Sequence, residues 1–181
     1  FASARVWWML RVMGQRDVKV LDGGLKAWTD AGGETEDLPP VAVERHFTAR
    51  VRSDLLKDSD QMLAASANSS HNIIDSRSAE RFSGEAPEPR EGLPSGHIPG
   101  SICLPSGELR TEDGRMKSAE ELGKLFPNPL APTIATCGSG VSAAVTALAL
   151  ARLGNWDVAV YDGSWAEWAS DASRPVATGT A

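Results

Sequence analysis

The sequence predicts an α/β fold: a mainly parallel central sheet flanked by helices on both faces. Three observations carry that expectation. Short β-branched runs alternate with helix-period segments along most of the chain. A stretch near the end repeats the beginning at an offset of 140 residues (Ala4 to Ala144). The run "TIAT" also passes through "CGSGVS" directly into an alanine-rich segment, the kind of strand-to-helix junction where parallel sheets gather their ligands.

The elements follow in order. Residues 2–13 read as a helix ended by Gly14, 17–21 as a buried strand and 24–31 as a short helix. Next, "GGETEDLPPVAVERH" (32–46) carries glycines, prolines and acids without periodicity and reads as an extended linker. The pattern then resumes with a strand at 47–50, a helix at 53–66, the strand "NIID" at 72–75 and a helix at 78–82. A long Pro/Gly stretch leads to a short strand in "SICLP", and a helix at 118–125, the strand at 133–136, a helix at 141–153, a strand at 157–161 and a short helix near Trp165 complete the list.

Laying residues 1–28 over 141–168 matches Ala4, Gly14, Asp17, Val18, Val20, Asp22, Gly23 and Trp28 with Ala144, Gly154, Asp157, Val158, Val160, Asp162, Gly163 and Trp168. Each copy has a glycine ending a helix, an alternating strand, an Asp-Gly turn and a later tryptophan. The expected organisation is therefore the tail of one unit (1–31), the linker (32–46) and a complete second unit (47–181).

Composition narrows the function. At 181 residues and 41% hydrophobic, the chain can bury one full core. A net charge of −6 and a pI near 5.1 argue against nucleic-acid or anionic-membrane partners, which call for clustered Lys and Arg. No apolar run is long enough to span a bilayer. With Phe at position 1 and no basic leader, a fragment of a longer protein is expected, and Trp7, Trp8 and Leu10 are expected to pack against a separate N-terminal half. Two cysteines and three scattered histidines offer neither a disulfide framework nor metal-ligand spacing. The expectation is no metal, no cofactor and a reducing, cytoplasmic setting.

Cys137 is the candidate nucleophile. A strand that turns sharply into a helix directs backbone N–H groups and the positive end of the helix dipole at one small pocket. Gly138 and Gly140 clear side chains from it, and such a setting favours a thiolate. Cys103, in "SICLP", lacks a glycine-rich turn and reads as a buried small hydrophobe. Ser142 completes the loop with Val141 and is placed to cap the following helix.

"CGSGVSA", together with "NIIDSRSAERFSGEAPEPREGLPSGHIPGSICLP" upstream and "VYDGSWAEW" downstream, resembles the tandem-domain rhodanese-type sulfurtransferases, above all those acting on 3-mercaptopyruvate. The resemblance implies an enzyme without cofactor, in which Cys137 takes sulfur from a small-molecule donor, becomes a persulfide and passes the sulfur to a thiol or cyanide. It makes 1–31 the end of an inactive first domain and 47–181 the catalytic domain. It also implies Arg81 and Arg90 as the pair gripping the donor's carboxylate, and Ser139 as the proton relay to the leaving pyruvate. A persulfide anion calls for many short donors and no competing carboxylate.

Thiosulfate-preferring members of that family carry basic residues in the loop, where this chain has Gly138 and Ser139. Thiosulfate as donor and a noncatalytic binding module stand as alternatives. A cysteine phosphatase would need an arginine six residues after the nucleophile, and Ala143 stands there. Asp75 and Arg77 read as a loop-fixing ion pair, and His97 in "GHIPG" as a loop organiser rather than a base. Trp165 is placed beside the site, either as packing or as a border to the substrate.

Overall fold

The computed structural model describes residues 2–39, 41 and 43–180. Phe1, Pro40, Ala42 and Ala181 lie outside the described residues, so the expected 1–31, 32–46 and 47–181 segments are each covered in part. The strands are β1 (Leu56–Lys57), β2 (Asn72–Asp75), β3 (Ser101–Cys103), β4 (Thr133–Thr136) and β5 (Ala159–Tyr161). They form one sheet in the order β1-β5-β4-β2-β3, with every pair parallel. The helices are α1 (Ala2–Val12), α2 (Gly24–Asp30), α3 (Ser59–Asn68), α4 (Ala79–Ser83), α5 (Ala119–Leu125), α6 (Ala143–Arg152) and α7 (Ser164–Trp168).

The period-two pattern of the strands divides the core. Ile73, Ile134, Ala159 and Tyr161 face one side, against Met62 and Ala65 of α3 and Trp165 and Trp168 of α7. Ile74, Ala135 and Val160 face the other, against α6, Leu122 of α5 and the tryptophans of α1. Asp75 lies opposite Thr136, and Ala135 opposite Val160. The chain therefore leaves β2, β4 and β5 at one level, which brings residues 76–77, 137–142 and 162–164 together at the C-terminal edge.

Three expected elements differ. No strand forms at 17–21: the segment is half-buried at Val18 and Val20, but no neighbouring strand pairs with it among the described residues. The expected strand at 47–50 is also absent. Here the backbone donors are used elsewhere: the N–H of Arg50 reaches the Met13 carbonyl (2.9 Å) and that of Arg52 the Val12 carbonyl (2.8 Å), satisfying carbonyls that α1 leaves free at its C-terminus. The sheet edge is taken instead by β1, so the expected helix 53–66 splits into a 3₁₀ turn (Ser53–Leu55), β1 and α3. Asp58 starts α3 through a capping box with Gln61, a signal the sequence carries as D-x-x-Q.

The expectation that Trp7 and Trp8 need another polypeptide is corrected. α1 packs on α6 of the same chain, each tryptophan is 4% exposed, and the Trp8 indole donates to the Leu55 carbonyl (3.3 Å). Burial of each such side chain contributes about 2–3 kcal/mol. The opposite face of α1, with Val6, Met9, Leu10 and Met13, stays exposed.

Candidate active site

Cys137 is the first residue beyond β4, and the loop Cys137–Ser142 delivers the chain into α6. Two of the loop's carbonyls are tied to the start of α7. The Trp165 N–H donates to the Cys137 carbonyl (2.9 Å) and the Ala166 N–H to the Gly138 carbonyl (3.0 Å). The Cys137 N–H donates to Ser164 Oγ (3.2 Å), which in turn donates to the Tyr161 carbonyl (2.8 Å) and lies 3.9 Å from Cys137 Sγ. Among the described residues, the amides of Gly138 through Ser142 reach no protein acceptor. That leaves five donors beside one buried sulfur, a set suited to a sulfur anion.

Gly140, at φ +76, is required by close approach. A Cβ there would meet the Asp162 carbonyl oxygen at 2.6 Å and its Oδ1 at 2.7 Å. Ser142 occupies the N-cap position of α6 in a helical conformation and makes no side-chain capping bond, so its expected capping role is corrected. With φ already helical, its backbone does not take the extended geometry that a capping side chain uses. Ser139 is exposed and Val141 half-buried.

The loop forms one wall of a cleft of about 310 Å³. Arg81, Arg90, Cys137, Gly138, Ser139 and Val141 line it, and the structure thus gathers both expected arginines at the cysteine. A Cβ on Gly138 would come within 3.0 Å of Arg81 Nη2. The two arginines are held differently. Arg81 donates from Nε and Nη2 to the Glu88 carboxylate (3.0 and 2.6 Å), and that bond, ahead of every other influence, raises its pKa. Arg90 is exposed and forms no ion pair among the described residues.

Glu88 corrects the expectation of a cleft without carboxylates. Its side chain is 3% exposed and also accepts from Arg77 Nη1 (2.9 Å). Two guanidinium groups therefore compensate it, as a buried charge requires. Arg77 grips Asp75 through Nε (3.1 and 3.0 Å) and Nη2 (2.7 Å), donates to the Gly96 carbonyl (2.7 Å) and lies over the Trp165 ring (4.5 Å). Asp75 and Arg77 thus form a buried ion pair at the end of β2. Trp165 is 1% exposed and donates its indole N–H to the Pro94 carbonyl (3.0 Å), so it packs beneath Arg77 and does not border the cleft. His97 is buried, stacked on Phe82 at 3.8 Å, with Nδ1 donating to the Phe82 carbonyl (2.9 Å).

Cys103 sits half-buried at the end of β3, and burial pushes its thiol up to about 11. Sequence reasoning missed Ser164, Glu88 and Arg5. The "DGS" turn marks the first and the "PEPR" segment contains the second, while nothing local marks Arg5. A larger cleft, about 480 Å³, lies away from Cys137 between α1, α6 and residues 18–24. Among the described residues, no helix is long and apolar enough to cross a membrane.

Comparison with known proteins agrees with this geometry. A family model described as "Rhodanese-like domain" matches residues 58–171. Thiosulfate/3-mercaptopyruvate sulfurtransferase 2 of Arabidopsis thaliana is 40% identical, over 97% of this chain and 59% of its own length. Thiosulfate sulfurtransferase of Rattus norvegicus is 43% identical, over 93% of this chain and 58% of its own. The crystal structure of SseA from Escherichia coli, described with the rhodanese fold and the mechanism of 3-mercaptopyruvate sulfotransferases, superposes with a TM-score of 0.78 at 37% identity. It covers 91% of this chain and 63% of its own. The chain spans less than two thirds of the length of these relatives. With the cysteine loop at the C-terminal edge of a five-stranded parallel sheet, the chain belongs to the rhodanese family.

Proposed function

We propose that this chain carries the sulfur-transferring site of an enzyme that moves sulfur from 3-mercaptopyruvate to a thiol or cyanide through a persulfide on Cys137. The observation that carries the reading is the uncharged loop after Cys137, whose five amides have no protein acceptor among the described residues. In the first half-reaction the Cys137 thiolate attacks the donor sulfur. An S–S bond forms and the C–S bond breaks. Its electron pair stays on carbon as the enolate of pyruvate, which takes up the proton that was on the donor thiol. Ser139, at the cleft surface, relays that proton. The loop amides hold the persulfide anion until an acceptor thiolate or cyanide removes the outer sulfur and regenerates the Cys137 thiolate.

In this reading Arg90 is the mobile grip on the donor carboxylate. Arg81, fixed by Glu88, presents its remaining Nη1 face. Residues 1–31 are the end of a preceding repeat, 32–46 the linker and 47–181 the catalytic unit, with the rest of the first unit a covalent or bound partner against the exposed face of α1. A reducing, cytoplasmic setting suits two cysteines that are both free.

Thiosulfate is the second reading for the donor, favoured by the relatives of 43% identity that carry that name. Steady-state kcat/KM for both donors on the full-length protein tests the choice. A higher value for 3-mercaptopyruvate is expected, and a higher value for thiosulfate overturns it. A persulfide found on Cys103 and absent from Cys137, by mass spectrometry after donor treatment, overturns the whole assignment.

A further inference from the structure

Arg5 lies in α1, outside the matched family segment 58–171, yet its guanidinium reaches the cysteine loop. Arg5 Nη1 donates to the Gly140 carbonyl (3.1 Å) and to Asp162 Oδ1 (2.5 Å). A Cβ on Gly140 would meet that same nitrogen at 2.9 Å. The guanidinium also lies over the Trp8 ring (4.6 Å), which fixes its approach, and its side chain is 22% exposed. One arginine thus joins the far end of the loop to the turn after β5. That turn carries Ser164, whose hydroxyl accepts from Cys137 N–H.

A related contact runs the other way. Arg152 of α6 faces Asp22, the residue 140 positions before Asp162, but at 3.7 Å, with both side chains more than 40% exposed. Of the two braces, only the one at the cysteine loop is short, and it is covered on the arginine side alone, Asp162 being 46% exposed. Two hydrogen bonds fix the Arg5 guanidinium in place, whereas Arg152 and Asp22, at 3.7 Å, are beyond hydrogen-bond distance and leave only a screened attraction.

We infer that Arg5 is a positioning residue for the cysteine loop: α1 sets the loop's geometry from outside the catalytic unit by locking Gly140 to Asp162. The inference rests on the reading of Cys137 as the sulfur carrier, and it is tested by a readout that does not depend on turnover.

In the full-length protein, Arg5→Met keeps an unbranched apolar side chain and removes the guanidinium, with both bonds and its place over Trp8. Amide hydrogen exchange at Gly138–Ser142 is expected to accelerate at least about tenfold, while exchange in the rest of α6 stays as in the wild type. The kcat with 3-mercaptopyruvate is expected to fall about tenfold with KM within twofold, since the donor grip is untouched. Arg5→Lys, which keeps the charge on Asp162, should restore most of kcat. Arg152→Met, which breaks the other brace, should change neither exchange nor kcat.

Unchanged loop exchange in a folded Arg5→Met protein overturns the inference. If that variant loosens α1, seen as altered tryptophan emission, Asp162→Asn decides the matter without touching the α1 packing, and unchanged loop exchange there overturns it equally. A wild-type protein without sulfur transfer, in which Arg5→Met still loosens the loop, sinks the function reading and leaves the positioning role standing.

Discussion

Cys103 and Cys137 leave the same sheet on either side of β2, and what separates them is the fate of the backbone that follows. After Cys103 the Leu104 N–H is used by the Asp75 carbonyl (2.9 Å), Pro105 has none, and the Ser106 N–H is used by the Ser76 carbonyl (3.1 Å). After Cys137, five consecutive amides stay without a protein acceptor among the described residues. Cys103 also faces the Asp75 carboxylate across the β2–β3 register, which adds to the burial that pushes its thiol up to about 11. If Cys137 carries the sulfur as proposed, chemical competence at a strand end depends less on exposure, since Cys137 is only 2% exposed, than on whether the next residues keep their donors unspent.

The comparison can be broken most severely at the sulfur itself. Cys137→Ser is expected to lower turnover by at least about a thousandfold, and Cys103→Ser to leave it within about twofold. Equal losses in a steady-state assay would erase the contrast. The following glycines offer the next test. Gly140→Ala forces a left-handed φ and a 2.6 Å contact with the Asp162 carbonyl oxygen. About 2 kcal/mol of stability and roughly a hundredfold in kcat should be lost, read by urea denaturation and single-turnover kinetics. Gly107, downstream of Cys103, has open space at its Cβ, and Gly107→Ala should change neither.

Arg90→Ala should cost about 2 kcal/mol in kcat/KM for 3-mercaptopyruvate, carried mainly by KM, because it removes a charge-assisted contact. A change confined to kcat would move Arg90 out of the donor site. The last test concerns pH and bears on Cys103 alone. With its thiol pushed up to about 11, Cys103 is almost wholly protonated at neutral pH. Its alkylation rate should therefore rise about tenfold per pH unit between roughly pH 8 and 10. A plateau below pH 9, followed by peptide mapping, would show that the Cys103 thiol is not suppressed.

Much of this was legible in the sequence. Glycines beside a cysteine at a strand-to-helix junction mark the loop without reference to anything distant, and the strands 72–75 and 133–136 announce themselves by short apolar runs. The segment 17–21 misleads because alternation records which side chains face inward, not whether a neighbour exists to pair with the backbone. Residues 47–52 mislead in the opposite sense, their donors being drawn to the carbonyls of α1 rather than into the sheet. Glu88, Ser164 and Arg5 act on Arg81, Cys137 and Gly140 from 7, 27 and 135 positions away, and the two longer reaches exist only once the chain has folded.

Ser164 sits at φ +52, one of two non-glycine residues in the left-handed region among the described residues. The residue 140 positions earlier, Gly24, has φ +64. The backbone demand is the same at both places, and holding a serine there costs about 1 kcal/mol more than holding a glycine. At position 24 the cheaper residue stands. At position 164, where the hydroxyl accepts from the Cys137 N–H, the dearer one stands. Position 164 thus answers two opposed physical demands, a backbone suited to glycine and a hydroxyl that glycine lacks. Among diverging copies of this fold, drift from serine to glycine there should accompany loss of the nucleophile, giving a mark of lost chemistry that is independent of the cysteine.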